Sequence, residues 1–371
     1  MGRAVLIAAA SGRALAASAR RGGYAPLVAD FFGDEDTAAV AEANIRLGHG
    51  LARGMSSGLV IAALERLASP RQPAGIVCGT GFEDRPELLA DIARRWTLFG
   101  NGPAAIARTK DPLAFAKLCD ETGVGHPDTS LARPPDPANW LAKRQGGAGG
   151  HHIRSAADSD GAGGTFYFQR RVEGLSVSAL FLADGLRAMV LGFSLQWSAP
   201  TPRQSFRYGG AAQPAVVDVE TADAMTQAIQ RLTSMVQLLG LNSADFLVRG
   251  RAFDLLEINP RPGATLDIFE PSDGSLFAMH ISACQGMLPA TRPSYQQARA
   301  SAIVYADRDI LAFPVLDWPP WTADRPAVGT SVDNGSPLCT VFACAATATS
   351  ARQLATQRGA AILASTSGRL P

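Results

Sequence analysis

Asp245-Phe246-Leu247-Val248-Arg249-Gly250-Arg251-Ala252-Phe253-Asp254-Leu255-Leu256-Glu257-Ile258-Asn259-Pro260-Arg261-Pro262-Gly263 is the stretch that decides how this chain is read. Asp245, Glu257 and Asn259 are hard oxygen donors, the ligand type that Mg²⁺ accepts. If Phe253 to Asn259 is a strand, alternation points Glu257 and Asn259 to one face and turns Ile258 to the core. Asp245 to Val248 then forms the preceding strand, with Arg249-Gly250-Arg251 as the turn of a hairpin. Two carboxylates and an amide oxygen converge on one spot, a divalent-metal site, and Arg261 beside it suits phosphate or carboxylate. A surface hairpin with two solvated acids would leave Glu257 unexplained. It follows the apolar run Phe253-Asp254-Leu255-Leu256, at the edge of a core where an unpaired carboxylate is expensive.

Lysine usage gives a second sign. Of 34 Lys+Arg only Lys110, Lys117 and Lys143 are lysine, so arginine supplies the positive charge almost everywhere else. A lysine kept against that bias is one that needs a compact ammonium rather than a planar fork. Lys117 reads as a helix-surface residue. Lys143 ends the apolar stretch Trp140-Leu141-Ala142 and precedes Gly146-Gly147-Ala148-Gly149-Gly150. A strand lysine before a glycine-rich turn is a phosphate-binding arrangement, because the glycines let backbone N–H groups approach and the ammonium offsets charge. The same run would also serve as a flexible linker.

In this order and spacing the stretches resemble the ATP-grasp superfamily, from Val5 to about Arg299. That family has a first lysine before a helix, matched by Lys110-Asp111-Pro112-Leu113-Ala114-Phe115. A second lysine before a glycine loop is matched by Lys143 and residues 146–150. A hinge strand at the adenine is matched by Tyr167-Phe168-Gln169-Arg170-Arg171-Val172-Glu173-Gly174, and the Asp, Glu, Asn metal set by Asp245, Glu257 and Asn259. The resemblance implies that Lys110, Lys143, Gly146, Gly147, Gly149 and Gly150 hold the phosphates of ATP. It puts Gln169, Arg170 and Val172 at the base and Glu173 at the ribose, although the family hinge often carries an acid where Gln169 and Arg170 stand. It implies Mg²⁺, with Mn²⁺ as an alternative, at Asp245, Glu257 and Asn259. Lys143 and Arg261 become the catalytic candidates. Of the paired His151-His152, one is expected to pack and one to face the phosphates, since neighbours on a strand point to opposite faces.

Three regions follow. Residues 1–105 alternate strands and helices: Ala4 to Ala8, a turn at Ser11-Gly12-Arg13, a helix from Ala14 to Arg21, strands at Pro26 to Asp30 and Gly75 to Gly79, and a helix from about Pro86. This alternation implies an α/β, Rossmann-like parallel sheet with ligands at the carboxyl ends of its strands. Ser11, Gly12 and Gly81 lie on that rim, and the resemblance makes them candidates for holding the non-nucleotide substrate, together with Arg203, Arg207, Arg261 and Gly263. Each could equally be part of a tight turn or a plain connection. Residues 106–300 carry the ATP-grasp motifs, with a lid over about 106–170 and an amphipathic helix from Ala224 to Leu239 closed by Gly240. Residues 301–371 read as a small β-rich module, with strands near Val328 to Ser331 and Pro337 to Ala343 and a helix from Ser350 to Leu363.

Bulk properties limit the partners. A chain of 371 residues can bury two or three cores, and its net charge of +1 gives no nucleic-acid or membrane surface. The five cysteines form no CxxC pair, which points to reduced thiols and a cytoplasmic location. There is no apolar run of about 18 residues and no signal-peptide order at the N-terminus. The resemblance implies an ATP-dependent ligase that activates a carboxylate as an acylphosphate for attack by an amine, with small-molecule partners and compatible with a homodimer. An ATP-grasp kinase, a biotin-carboxylase-like carboxylase and a nucleotide-binding regulator without turnover are the alternatives. The Ser11-Gly12-Arg13 and Gly79-Thr80-Gly81-Phe82-Glu83 stretches and the C-terminal region are also similar to ATP-grasp proteins that accompany tetrahydromethanopterin and methanofuran enzymes of methylotrophs and methanogens, which would make the substrate a one-carbon coenzyme precursor or an amino acid such as glutamate.

Overall fold

Five short, almost wholly apolar strands build the first of three sheets in the computed structural model, which describes residues 2–48, 56–159 and 166–366. They are β1 (Arg3–Ala8), β2 (Tyr24–Asp30), β3 (Ala43–Arg46), β4 (Ile76–Cys78) and β5 (Leu98–Phe99), in the order β3-β2-β1-β4-β5 with every pair parallel. Parallel strands are covered on both faces, which is why Val5, Leu6, Ile7 and Ala8 are all buried. The order reverses between β1 and β4, the switch point at which such sheets bind ligands. The loops after these two strands carry Ser11-Gly12-Arg13 and Gly79 to Glu83, so the rim expected from the sequence is formed.

Two helices lead out of this sheet. The first, Pro103–Lys110, stops because Asp111 takes the extended backbone required before Pro112. Asp111 then caps the next helix, Pro112–Thr122, by accepting from the Ala114 N–H at 2.8 Å. The Asp-Pro pair thus leaves Lys110 as the last residue of a helix. A four-stranded antiparallel sheet follows, ordered β6-β9-β7-β8, from β6 (Thr129–Ser130), β7 (Trp140–Arg144), β8 (Ile153–Ser155) and β9 (Phe166–Arg170).

The third sheet has eight antiparallel strands in the order β14-β13-β10-β11-β12-β15-β17-β16. These are β10 (Leu175–Asp184), β11 (Ala188–Ser198), β12 (Tyr208–Gln213), β13 (Leu239–Arg249), β14 (Ala252–Asn259), β15 (Ala298–Tyr305), β16 (Thr322–Ala323) and β17 (Pro337–Ala345). Alternation along β10 divides its side chains between two cores. Val177, Ala179, Phe181 and Ala183 pack under the helix Val219–Val236, while Leu180 and Leu182 pack with Val5, Ile7, Phe277 and Ile281. Among the described residues no helix is long and apolar enough to cross a membrane.

Several boundaries differ from those read in the sequence. The amphipathic helix runs over Val219–Val236 instead of Ala224 to Leu239, because Asp218 caps it five residues earlier and Gln237, with φ of 61°, ends it. Gly240 closes no helix. It lies inside β13 with φ of 67°, where a Cβ would fall 2.4 Å from His280 Nδ1. That imidazole accepts from the Leu241 N–H at 2.8 Å and donates from Nε2 to the Phe99 carbonyl at 3.0 Å, so it ties β13 to β5. The metal hairpin is longer than expected, since β13 starts at Leu239. The C-terminal strands extend the eight-stranded sheet, and the helix Ala348–Thr366 packs on β15 and β17. Val328 to Ser331 forms no strand.

One side chain joins all three parts of the chain. Arg13, 6% exposed, is bidentate to Asp267 at 2.6 and 2.8 Å and reaches Asp324 from Nε at 3.0 Å. Arg13→Met is expected to destabilise the fold by about 3–5 kcal/mol in denaturant titration, because it leaves two carboxylates facing each other without their cation. An unchanged unfolding midpoint would show that the cluster holds nothing together.

Candidate functional site

Strand register brings the oxygen donors together. β13 pairs with β14 so that Asp245 lies opposite Glu257 and Ser243 opposite Asn259, with an irregularity just after Asp245. On its other side Asp245 lies opposite Ser178 of β10, whose hydroxyl donates to it. Gln196 of β11 donates to Asp245 Oδ1 at 3.3 Å, and Asn259 Nδ2 donates to Asp245 Oδ2 at 3.1 Å. This leaves Asn259 Oδ1 turned toward the cleft. Ile258 is 1% exposed and belongs to the core, as alternation requires.

Lys110 comes to these donors from the helix end. Its Nζ is 2.7 Å from Asn259 Oδ1 and 3.0 Å from Glu257 Oε2. Burial and the neighbouring Glu257 carboxylate push the Asp245 carboxyl well above the usual carboxylate range, against the Ser178 hydroxyl and Lys110. Glu257 moves the opposite way, held low by Lys110, Lys143 and His152 in spite of burial. The two acids titrate as a pair, and the geometry raises the proton affinity of Asp245 while lowering that of Glu257. The hard-oxygen donor set fits a divalent cation, and the Lys110 ammonium is the positive charge it holds in this conformation. Asn259 is essential to that fit. Among the described residues no group of three His, Cys, Asp or Glu side chains could hold a metal by itself.

The glycine run closes over the cluster as a set of turns. Lys143, 7% exposed at the end of β7, donates from Nζ to Gln169 Oε1 at 2.6 Å. Burial lowers its pKa, and Glu257 and Asp245 oppose that shift, which brings Lys143 into the same electrostatic group. Gly146, Gly149 and Gly150 have φ of 66°, 68° and 75°. A Cβ at Gly146 would meet Asp84 Cβ at 2.2 Å, and one at Gly150 would meet the Phe206 carbonyl at 1.8 Å. The loop is therefore docked between the N-terminal rim and the segment before β12, in contacts that only glycine permits. Of the two histidines, His152 faces the site and feels Glu257, Lys143 and Lys110, with its pKa lowered by burial to about 4. His151 contacts Gln204 and Tyr305 on the outside.

Arg261 is half-buried against the N-terminal rim. Its Nε donates to Glu83 Oε1 at 2.7 Å, and Glu83 Oε2 accepts from the Gly81 N–H at 2.7 Å. Gly263 lies against the Arg261 guanidinium. A cavity of about 420 Å³ opens beside this pair, lined by Glu83, Asp84, Ile106, Lys110, Arg144 and Gly146 among others. The other expected site residues divide. Ser11 donates to Asp324 and so joins the interdomain network around Arg13, whereas the Gly12 N–H donates to Asp30 at 2.9 Å within the N-terminal region. Arg207 stacks 3.7 Å from the Tyr305 ring centre and donates to Ala199 and Gly335 carbonyls, away from the cluster, and Arg203 is exposed. Gln169 points inward, Val172 is half-buried, and Arg170 and Glu173 are exposed at the hinge. Glu83, Gln196 and Ser178 had not been singled out as site residues from sequence, and which of His151 and His152 faces the site had been left open.

Residues 109–265 match the ATP-grasp domain family, so this region is an ATP-grasp domain. The chain is 22% identical over 249 residues to the carbamoyl phosphate synthase large chain of Myxococcus xanthus. That match covers 61% of this chain and 23% of the relative, so the chain spans only a minor part of that relative's length. Its fold is similar to that of biotin carboxylase from Campylobacter jejuni in a β,γ-ATP complex, with a TM-score of 0.73 at 16% identity over 93% of this chain and 87% of that one. It is also similar to N5-carboxyaminoimidazole ribonucleotide synthetase from Thermus thermophilus, with a TM-score of 0.69 at 16% identity over 99% of both chains.

Two outcomes are expected at the cluster. Glu257→Gln keeps shape and removes one donor charge, so ADP release from MgATP should fall at least about tenfold while unfolding stability stays within about 1 kcal/mol. Wild-type turnover in this variant would exclude Glu257 as a metal ligand. The second outcome concerns pH. With its pKa raised, Asp245 holds its proton more tightly folded than unfolded. Metal-free stability from this group is therefore present at acid pH and lost as pH rises through the raised value. The depressed Glu257 contributes stability that is fully present above the ordinary carboxylate range, so it adds no pH dependence in that window. Mg²⁺ should displace the Asp245 proton, so the stabilisation it gives should grow with pH in thermal unfolding scans between about pH 5 and 8. A Mg²⁺ effect that shrinks with pH would contradict the assignment.

Proposed function

We propose that this protein is an ATP- and Mg²⁺-dependent ligase that activates a small carboxylate as its acylphosphate and passes the acyl group to an amine. The observation that carries this reading is the convergence of Lys110 and Lys143 on Asp245, Glu257 and Asn259 beneath a docked glycine loop. Two ammonium groups opposite a hard-oxygen cation site form an environment for a polyphosphate, in which positioning and charge neutralisation do most of the work. Mg²⁺ at Asp245, Glu257 and Asn259 would supply further charge neutralisation at the phosphate oxygens.

The residues of this chain have separate tasks in that scheme. Lys143 would leave Gln169 for the phosphates, a short movement for a buried ammonium that already lacks a full counter-charge. Lys110 would yield its place on Glu257 and Asn259 to the cation and turn to the phosphates. Arg261, between the cluster and the cavity, would hold the transferred phosphoryl group or the carboxylate that receives it, since a guanidinium fork pairs with either. The loop from Gly146 to Gly150 would exclude water, as an acylphosphate intermediate requires. The likeness in fold to a biotin carboxylase favours one specific second reading, in which bicarbonate is the carboxylate and the product is a carboxylated amine or amide.

Two measurements test the proposal. MgATP at about 100 times its dissociation constant should stabilise the fold by about 2.7 kcal/mol, and a melting temperature unmoved by nucleotide would exclude nucleotide binding. ADP release should then be screened over amino acids and one-carbon coenzyme precursors, each with and without bicarbonate. Release that needs bicarbonate selects the carboxylase reading. Release that needs a carboxylate and an amine together selects the ligase. Tight MgATP binding with no release under any pairing would make the chain a nucleotide-binding regulator.

A further inference from the structure

Arg261 is gripped at one end of its guanidinium. Nε donates to Glu83 Oε1 at 2.7 Å, whereas Nη2 is 3.4 Å from Asn259 Oδ1 and Nη1 is 3.5 Å from the Pro262 carbonyl. A guanidinium presents five donors in a rigid fork. Glu83 takes the inner donor, and the two outer nitrogens make only long contacts. Glu83 is itself fixed, with a side chain 4% exposed and its second oxygen held by the Gly81 N–H at 2.7 Å. Burial favours the neutral acid, but Arg261 and Lys110 beside it and the bonds from Arg261 and Gly81 keep it ionised. A buried carboxylate has thus been placed next to a site that, on the phosphoryl-transfer reading, handles anions. For anion binding alone this is unfavourable, so its value must lie elsewhere.

We infer that Glu83 is a positioning residue for Arg261, holding Nε so that the Nη1 and Nη2 edge faces Asn259 and meets an incoming carboxylate or phosphoryl group end-on. Three features support this. Glu83 comes from the loop after β4, at the switch point of the parallel sheet, so it fixes Arg261 relative to the N-terminal rim and not merely to its own loop. Arg261 follows Asn259 by two residues and its amide donates to the Asn259 carbonyl at 2.8 Å, so its backbone is already registered to the cation site. The remaining freedom is rotation of the long side chain, and a bond at Nε is the one that fixes the plane of the fork while leaving its outer edge open. The N-terminal sheet would thereby act on the chemistry through one ion pair.

This inference rests on the phosphoryl-transfer reading, and its test separates the two. Inorganic phosphate is titrated calorimetrically into protein saturated with MgADP, for wild type, Glu83→Gln, Arg261→Lys and the double variant. Simple electrostatics says that removing the Glu83 charge strengthens phosphate binding. Positioning says the reverse. Phosphate affinity should fall about tenfold in Glu83→Gln and in Arg261→Lys, and no further in the double variant. Unchanged or tighter phosphate binding in Glu83→Gln overturns the inference. So do losses that multiply in the double variant, and so does a wild type that takes MgADP but no phosphate. If Glu83→Gln does not fold, Glu83→Asp serves. It keeps the charge but withdraws it by one methylene, so affinity should fall while the MgADP dissociation constant stays within about threefold; wild-type phosphate affinity in that variant overturns the inference too. A wild type that binds no MgADP removes the functional reading and this inference with it, and that is known before phosphate is added.

Discussion

Two half-buried carboxylates facing each other across a strand pair attract a cation, and much of this molecule is arranged around that need. Asp245 and Glu257 are opposite in register, and Asp245, on the strand between β10 and β14, has both oxygens engaged by the side-chain amides of Gln196 and Asn259. The options are a proton, an ammonium or a metal. The structure shows the second, Lys110 on Glu257, while burial and the Glu257 carboxylate raise the proton affinity of Asp245. A site that accepts either a mobile lysine or a hard cation is easily exchanged between them, because the two states differ by where one positive charge sits. On the proposed reading, in which Mg²⁺ arrives with the nucleotide, that exchange would be useful. Lys110 would then be released toward the phosphates in the same step that brings them.

The segment after β14 carries the second constraint. Arg261 pairs with Glu83, and six residues on, Asp267 pairs with Arg13. Glu83 lies on the loop following β4 and Arg13 opens the helix following β1, the two strands that flank the reversal of strand order. The chain from Asn259 to Asp267 is thus laid along the carboxyl rim of the parallel sheet and tied at both ends by buried ion pairs. Such pairs are weak sources of net stability, but each is expensive to break on one side only. They therefore fix geometry, and here they fix the distance between the proposed cation site and the carboxyl rim of the parallel sheet.

How much of this was legible in the sequence depended on whether partners were close along the chain. Glu257 and Asn259 are two apart on one strand, and Asp245 is one hairpin away, so local alternation was enough to bring them together. Lys143 stood out because lysine is rare in this chain and because glycines follow it. Glu83 could not be read in the same way, since its partner lies 178 residues on and only the packing of two sheets joins them. Gln196 and Ser178 needed the strand order β13-β10-β11, which is non-sequential. Arg207 misled for the opposite reason. A loop arginine among glycines looks like a substrate ligand, yet Tyr305, from a strand nearly a hundred residues later, takes it for stacking. The helix boundary moved because Gly240 resembles a helix stop in sequence, and the imidazole that requires glycine there comes from His280, far along the chain.

The lid follows the same logic of contacts that exclude a side chain. A glycine run is ordinarily flexible, and its composition alone allowed a linker. Here Gly146 and Gly150 are each pressed against another part of the molecule so closely that even a methyl group would clash with Asp84 or with the Phe206 carbonyl. The glycines therefore serve two opposed ends. They let the loop turn through positive φ, and they let it close tightly against the rim that carries Glu83 and against the strand entering β12. Closure at Asp84 brings the Lys143 strand to the rim next to the Glu83–Arg261 pair. On the proposed reading, opening of this loop would separate Lys143 from that rim, and its closure would exclude solvent and complete the ring of charge in one event.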